Sequence, residues 1–184
     1  IPPEEITALD RLLYVGERGM GALEYHPAAE LAGGKATEVA LDIHALAGLA
    51  DLLASRNKRK HRELLSAENR SAALRLIRVG SSAGGARAKA LVARSPDGAL
   101  FDGSIDHGPD YTYWILKFDT DSNSDLDAAD PKEMPKVEYI YSCIAEECGI
   151  QMPRTDYLVD GEEFHFLVER FDRVVEKGRV TKTH

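Results

Sequence analysis

The sequence has 184 residues, 43% of them hydrophobic and 29% charged, with a formal net charge of −8. That length supports one full core or two small ones, and no run approaches the roughly 20 uninterrupted apolar residues of a membrane span. The acidic balance argues against tight direct binding to DNA or RNA, where Lys and Arg must neutralise phosphates. The start, Ile1-Pro2-Pro3-Glu4, has neither a basic n-region nor an apolar h-region, so nothing addresses the chain to a membrane or the secretory route. Without an initiating Met, and with Thr183-His184 following an apparent strand or turn, both ends look like cuts inside a longer protein. The basic run Arg56 to Arg62 fits a solvated helix end or loop, with a contact surface as the alternative. Cys143 and Cys148 match neither a redox pair nor a zinc half-site, and would stand about 140° apart on a helix. They are expected to be reduced and structural, in a cytoplasmic protein.

In chain order, Ile6, Leu9, Leu12 and Leu13 predict a short helix over Pro3 to Tyr14, broken by Val15-Gly16-Glu17-Arg18-Gly19. Met20 to Tyr25 can be extended, with His26-Pro27 closing the segment, and residues 33–37 form a link. Two amphipathic helices follow, Asp42 to Ser55 and Ser66 to Ile77, the second with Ser66 as N-cap. The part up to residue 78 is thus mostly helical. Beyond it come a loop at Gly80 to Gly85, a strand at Ala90 to Ala93, a Ser95-Pro96-Asp97-Gly98 turn and a returning strand at Leu100-Phe101. Tyr111 to Phe118 is apolar on both faces and should be a central strand. Residues 119–135 form a loop. A helix from Lys136 to Cys148 is expected to bury Val137, Ile140, Tyr141, Ile144 and Cys148, with Gly149 as its C′ glycine. Strands near 155–160 and 163–171 close the chain, joined by an Asp160-Gly161 turn. The fold class is α+β: a helical subdomain over 1–78, then a small antiparallel sheet with one helix over 79–184.

The order of the second part is that of a protein-kinase N-lobe: a glycine-rich loop, a lysine on the third strand, a helix with an acidic partner, then two strands leading to a hinge. Gly80, Gly84 and Gly85 would let backbone N–H groups approach phosphate oxygens, although the run is not G-x-G-x-x-G and also fits a mobile loop leading into a hairpin. Lys117 shares a face with Tyr113 and Ile115 by two-residue alternation; it needs an anion there or a way out to water. Glu138 lies one turn inside the next helix, either facing the sheet from the side or exposed.

The blocks LDRLLYVGERGMGALEYHP (9–27), SSAGGARAKALVA (81–93), YWILKF (113–118), VEYIYSCIAEECGI (137–150) and LVERFDR (167–173) resemble successive signatures of HipA-type serine/threonine protein kinases, the toxins of bacterial toxin–antitoxin pairs. The resemblance covers nearly the whole chain. It implies ATP and Mg²⁺ as cofactors, a glycine-rich loop over 80–89 including Gly84, Gly85 and Ala86, a phosphate-proximal Lys89, and Lys117 as nucleotide lysine with Glu138 beside it. It further implies a hinge at Glu169-Arg170-Phe171, where adenine would bond to backbone, and an autophosphorylated Ser82, with Ser81 as neighbour and fallback. Ala88 stands where relatives often carry Pro or Glu, which puts loop rigidity in doubt. The family's catalytic aspartate and its metal-binding asparagine and aspartate should follow the hinge and have no counterpart here, so the chain by itself is expected to be inert and to hold no metal ligand. Implied partners are a HipB-type antitoxin, with DNA reached only through it, and a protein substrate such as glutamyl-tRNA synthetase. The alternative from another class is a non-catalytic antitoxin-docking module that uses residues 1–78.

Overall fold

The structure, a computed structural model, describes residues 7–16, 19, 21–26, 40–54, 89–119 and 132–183. The helix expected over Ser66 to Ile77, the link at 33–37, the 78/79 boundary and the loop carrying Ser81, Ser82, Gly84, Gly85 and Ala86 lie outside these residues. The fold is α+β. Five strands, β1 (Lys89–Arg94), β2 (Leu100–Asp102), β3 (Thr112–Lys117), β4 (Thr155–Asp160) and β5 (Glu163–Glu169), form an antiparallel sheet in the order β2-β1-β3-β5-β4. β3 is central, as its two apolar faces require.

The register places Lys89, Leu91 and Ala93 of β1 opposite Lys117, Ile115 and Tyr113 of β3, and Lys117 opposite Phe166 of β5. Side chains alternate across a strand, so these residues share one face, and Ala90, Val92, Trp114, Leu116 and Leu167 share the other. The second face carries the core. There α2 (Ile43–Ala54) lays Leu46, Ala47, Leu49 and Ala50 against Ala90, Val92, Leu100, Trp114, Leu116, Phe118 and Leu167, all buried. Each large apolar side chain removed from water in this way contributes about 1.5–3 kcal/mol. The Leu41 N–H donates to the Leu100 carbonyl at 2.7 Å, tying the approach to α2 onto β2.

The first face carries α3 (Met134–Glu147), which begins two residues earlier than expected because Pro135 occupies its first turn, where the missing N–H costs nothing. Gly149, at φ 76°, closes it: the N–H groups of Gly149 and Ile150 donate to the carbonyls of Glu146 and Ala145, both at 2.9 Å. The expected burial of Val137, Ile140, Tyr141, Ile144 and Cys148 is reversed, since all five are exposed. The sheet is instead met by Pro135, Glu138, Tyr139 and Ser142. Tyr139 packs among Tyr157, Phe164 and Phe166, and the Ser142 hydroxyl lies 2.9 Å from that of Thr155. An aromatic cluster and an ion pair on the sheet outweigh the aliphatic stripe in orienting the helix.

Two further elements frame the hinge end. A hairpin not foreseen from the sequence, β6 (Arg173–Glu176) and β7 (Arg179–Lys182), turns at Lys177-Gly178, both with positive φ as a two-residue hairpin loop demands. The N-terminal helix α1 (Ala8–Val15) is capped by a Thr7/Asp10 box, and the segment after it docks on the hairpin rather than forming a strand. Lys182 pairs with Glu24, and Gly21 N–H donates to Asp172 at 2.7 Å.

Candidate functional site

The N-terminal end of β1 and the C-terminal end of β3 bring two lysines face to face, because Lys89 and Lys117 are direct register partners. Like charges directly opposite in a sheet repel, and nothing apolar explains the arrangement. Glu138 of α3 relieves part of it. Its Oε2 accepts a hydrogen bond from Lys117 Nζ, which also stands 5.5 Å from the centroid of the Phe166 ring. Both side chains of the pair are about a quarter to a third exposed. Burial pushes the Lys89 ammonium below its ordinary value, the positive Lys117 adds to this and Glu138 opposes it. Both lysines are partly exposed on this face. Beyond them on the same face, Ile115 and Val168 are only half-buried, leaving an apolar strip beside the cations.

The hinge segment divides into three unlike residues. The Glu169 N–H donates to the Arg154 carbonyl at 2.8 Å and that of Arg170 to the Tyr113 carbonyl at 2.8 Å, so both are already committed to protein. The Arg170 side chain turns inward, 3% exposed, and its Nε and Nη2 grip the two Asp172 carboxylate oxygens at 2.8 Å each while Nη1 donates to the Gly103 carbonyl at 3.0 Å. A Cβ on Gly103 would lie 2.4 Å from the Val92 carbonyl carbon, so only glycine brings that carbonyl so close to the sheet. Phe171 is 75% exposed. Among the three, the Arg170 side chain therefore acts on the fold, whereas that of Phe171 stands outside it.

Sequence reasoning missed two charged clusters. In the first, Asp172 takes both Arg170 and Arg173 as partners; burial raises its carboxyl, but the hydrogen bonds and charge of Arg170, the Gly21 N–H and Arg173 overcome this and hold it at about 2. The D-R following the hinge was its visible signal. The second groups Asp160, Glu163 and His165, with ligand-type atoms within 4.8 Å of one another. It does not fit a divalent cation, because His165 Nδ1 accepts the Asp119 N–H at 3.1 Å, which places the ring proton on Nε2, the nitrogen that would have to ligate. His165 also belongs to the face opposite Lys117. At Lys117 itself Glu138 is already engaged by the ammonium.

Among the described residues no helix is long and apolar enough to cross a membrane. No curated protein and no solved structure matches this chain. The family model of the HipA-like C-terminal domain matches residues 81–184, a stretch holding every strand among the described residues, α3, both lysines, Glu138 and the hinge. By that match, over more than half its length, the chain belongs to the HipA-like family.

Proposed function

We propose that residues 79–184 bind ATP as the nucleotide-binding half of a HipA-type serine/threonine protein kinase. The observation that carries this is the cross-strand Lys89–Lys117 pair, two partly exposed lysines on one face with Glu138 beside Lys117, next to a half-buried apolar strip. A triphosphate satisfies both halves of that surface, phosphates on the ammonium groups and adenine on Ile115 and Val168, with the Glu169 carbonyl and the Phe171 backbone at its edge. Glu138 would orient Lys117 toward the phosphates. The glycine-rich loop with Gly84, Gly85 and Ala86 would cover them, and a phosphate on Ser82, or on neighbouring Ser81, would repel the triphosphate and oppose that closure.

Phosphoryl transfer needs a positioned base and Mg²⁺ ligands, and these 184 residues contain no segment that matches either. We therefore assign transfer to protein serine or threonine, an aminoacyl-tRNA synthetase such as the glutamyl enzyme among the candidates, to a protein that also carries such a segment, with growth arrest as the outcome. Calorimetric titration of ATP tests the binding assignment. Lys117→Ala should weaken affinity roughly tenfold or more, the worth of one charge-assisted contact at about 1.5–3 kcal/mol. Equal dissociation constants would remove Lys117 from the site. With radiolabelled ATP and Mg²⁺, the 184-residue chain should incorporate no label.

A second reading, docking of a HipB-type antitoxin through residues 1–78, is favoured by α1, which exposes Leu9, Leu12 and Tyr14. Co-elution with the antitoxin that survives Lys117→Ala but not Leu9→Glu would support it.

A further inference from the structure

We propose that Asp119 is a positioning residue for the Lys117–Glu138 pair: from the end of β3 its carboxylate caps α3 and so fixes where Glu138 stands. Asp119 is two residues beyond Lys117 and 6% exposed, and a carboxylate so placed must be hydrogen-bonded. Its Oδ1 accepts the Glu133 N–H at 2.9 Å and its Oδ2 the Phe164 N–H at 3.4 Å. Its own N–H donates to Nδ1 of the fully buried His165, whose ring meets Phe118 edge-on at 5.7 Å. One residue thus joins the end of β3, the start of α3 and β5.

The start of α3 needs such a partner. Its N-cap, Glu133, has φ 70°, a left-handed conformation that a residue other than glycine keeps only when its surroundings hold it, and the Glu133 side chain makes no capping hydrogen bond. The acceptor that the helix lacks locally is supplied from another element. Glu138 is five residues on, about 7.5 Å along the same rigid helix, so a shift of the anchored end moves the carboxylate that holds Lys117. α3 presents its aliphatic stripe to solvent, which leaves Asp119, the Tyr139 cluster and the Ser142–Thr155 contact to seat it.

The expected weakening of ATP binding rests on the nucleotide reading above; the positioning itself does not. Nitrogen-15 labelling of lysine reads the Lys117 ammonium directly, and Glu138→Gln gives the resonance of Lys117 without its partner. Asp119→Ala should move the Lys117 resonance toward that position. Asp119→Asn, which keeps one acceptor oxygen, should move it part of the way. ATP affinity in Asp119→Ala should fall about threefold to tenfold, as follows if the paired arrangement drops to between a third and a tenth of the population. Should Asp119→Ala not fold, Asp119→Asn decides alone. A Lys117 resonance unmoved in a folded variant, with or without a lower melting temperature, overturns the proposal. If the resonance moves while neither Asp119→Ala nor Lys117→Ala alters ATP affinity, the positioning role stands and the nucleotide reading falls.

Discussion

Two charge clusters stand at opposite ends of β3, and they are built differently. At the hinge end, Arg170, Asp172 and Arg173 are almost wholly enclosed, and both oxygens of the Asp172 carboxylate are taken by protein donors. At the other end, Lys117 and Glu138 remain partly open, and a second ammonium, Lys89, lies across from them. The enclosed cluster is closed to solvent: its carboxylate stabilises two guanidinium groups that burial has stripped of water. The open cluster keeps its charges partly exposed, where a ligand can reach them. Sign and number of charges do not separate structure from function here; partner count and exposure do.

The sharpest way to break this comparison is Asp172→Ala. Removing the carboxylate leaves two buried cations facing each other, and a loss of about 3–5 kcal/mol in unfolding free energy is expected from urea denaturation. A loss no larger than that of Glu138→Gln would show the two clusters to be alike. Acid titration of stability is the next test. Asp172 titrates near 2 in the fold against an ordinary 3.8, so its contribution is complete above about pH 4 and disappears as pH falls toward 2, worth about 2 kcal/mol at 1.36 kcal/mol for each pH unit.

His165 adds an earlier stage. Burial lowers its value, against the opposing charges of Asp160 and Asp119, so its contribution is present above the ordinary histidine value near 6.5 and begins to be lost below it. Neighbouring Glu163, raised by burial, works in the opposite sense between pH 4.5 and its raised value. Urea midpoints measured from pH 8 to pH 2 should fall in two steps, and Asp172→Asn should abolish the one below pH 4. The smallest effect sharpens the contrast from the open side: Glu138→Gln should change stability by less than about 1 kcal/mol, because a partly exposed pair contributes little to folding. If urea denaturation shows a larger loss, the open cluster is structural as well.

Local chemistry made much of the fold legible. The Ser95-Pro96-Asp97-Gly98 turn, the doubly apolar β3 and the terminating Gly149 each depend on the backbone preference or face pattern of a few neighbouring residues and appear where those patterns put them, whereas the β4–β5 turn expected at Asp160-Gly161 is one residue later, at Gly161-Glu162, because Asp160 still pairs with Glu163. The hairpin at Lys177-Gly178 could have been recognised from its glycine and flanking valines, but the signal is short. At the site, the resemblance nominated Lys89, Lys117 and Glu138, the last beside Lys117. Their meeting depends on a strand register and on the roll of α3, neither of which periodicity alone reports.

The sequence by itself determined the family, the α+β class, the order of the strands along the chain and the residues that carry charge on β1, β3 and α3, because these follow from spacing, turn chemistry and recurrent blocks. Tertiary structure alone decided which face of α3 meets the sheet, that Arg170 turns inward to Asp172 while Phe171 stays outside, and that Asp119 reaches across to Glu133. The reason is physical. A helix with an aliphatic stripe on one side and Glu138, Tyr139 and Ser142 on another can dock either way, and the choice rests on partners up to 27 residues distant, Phe164 and Phe166 among them, that no local pattern encodes.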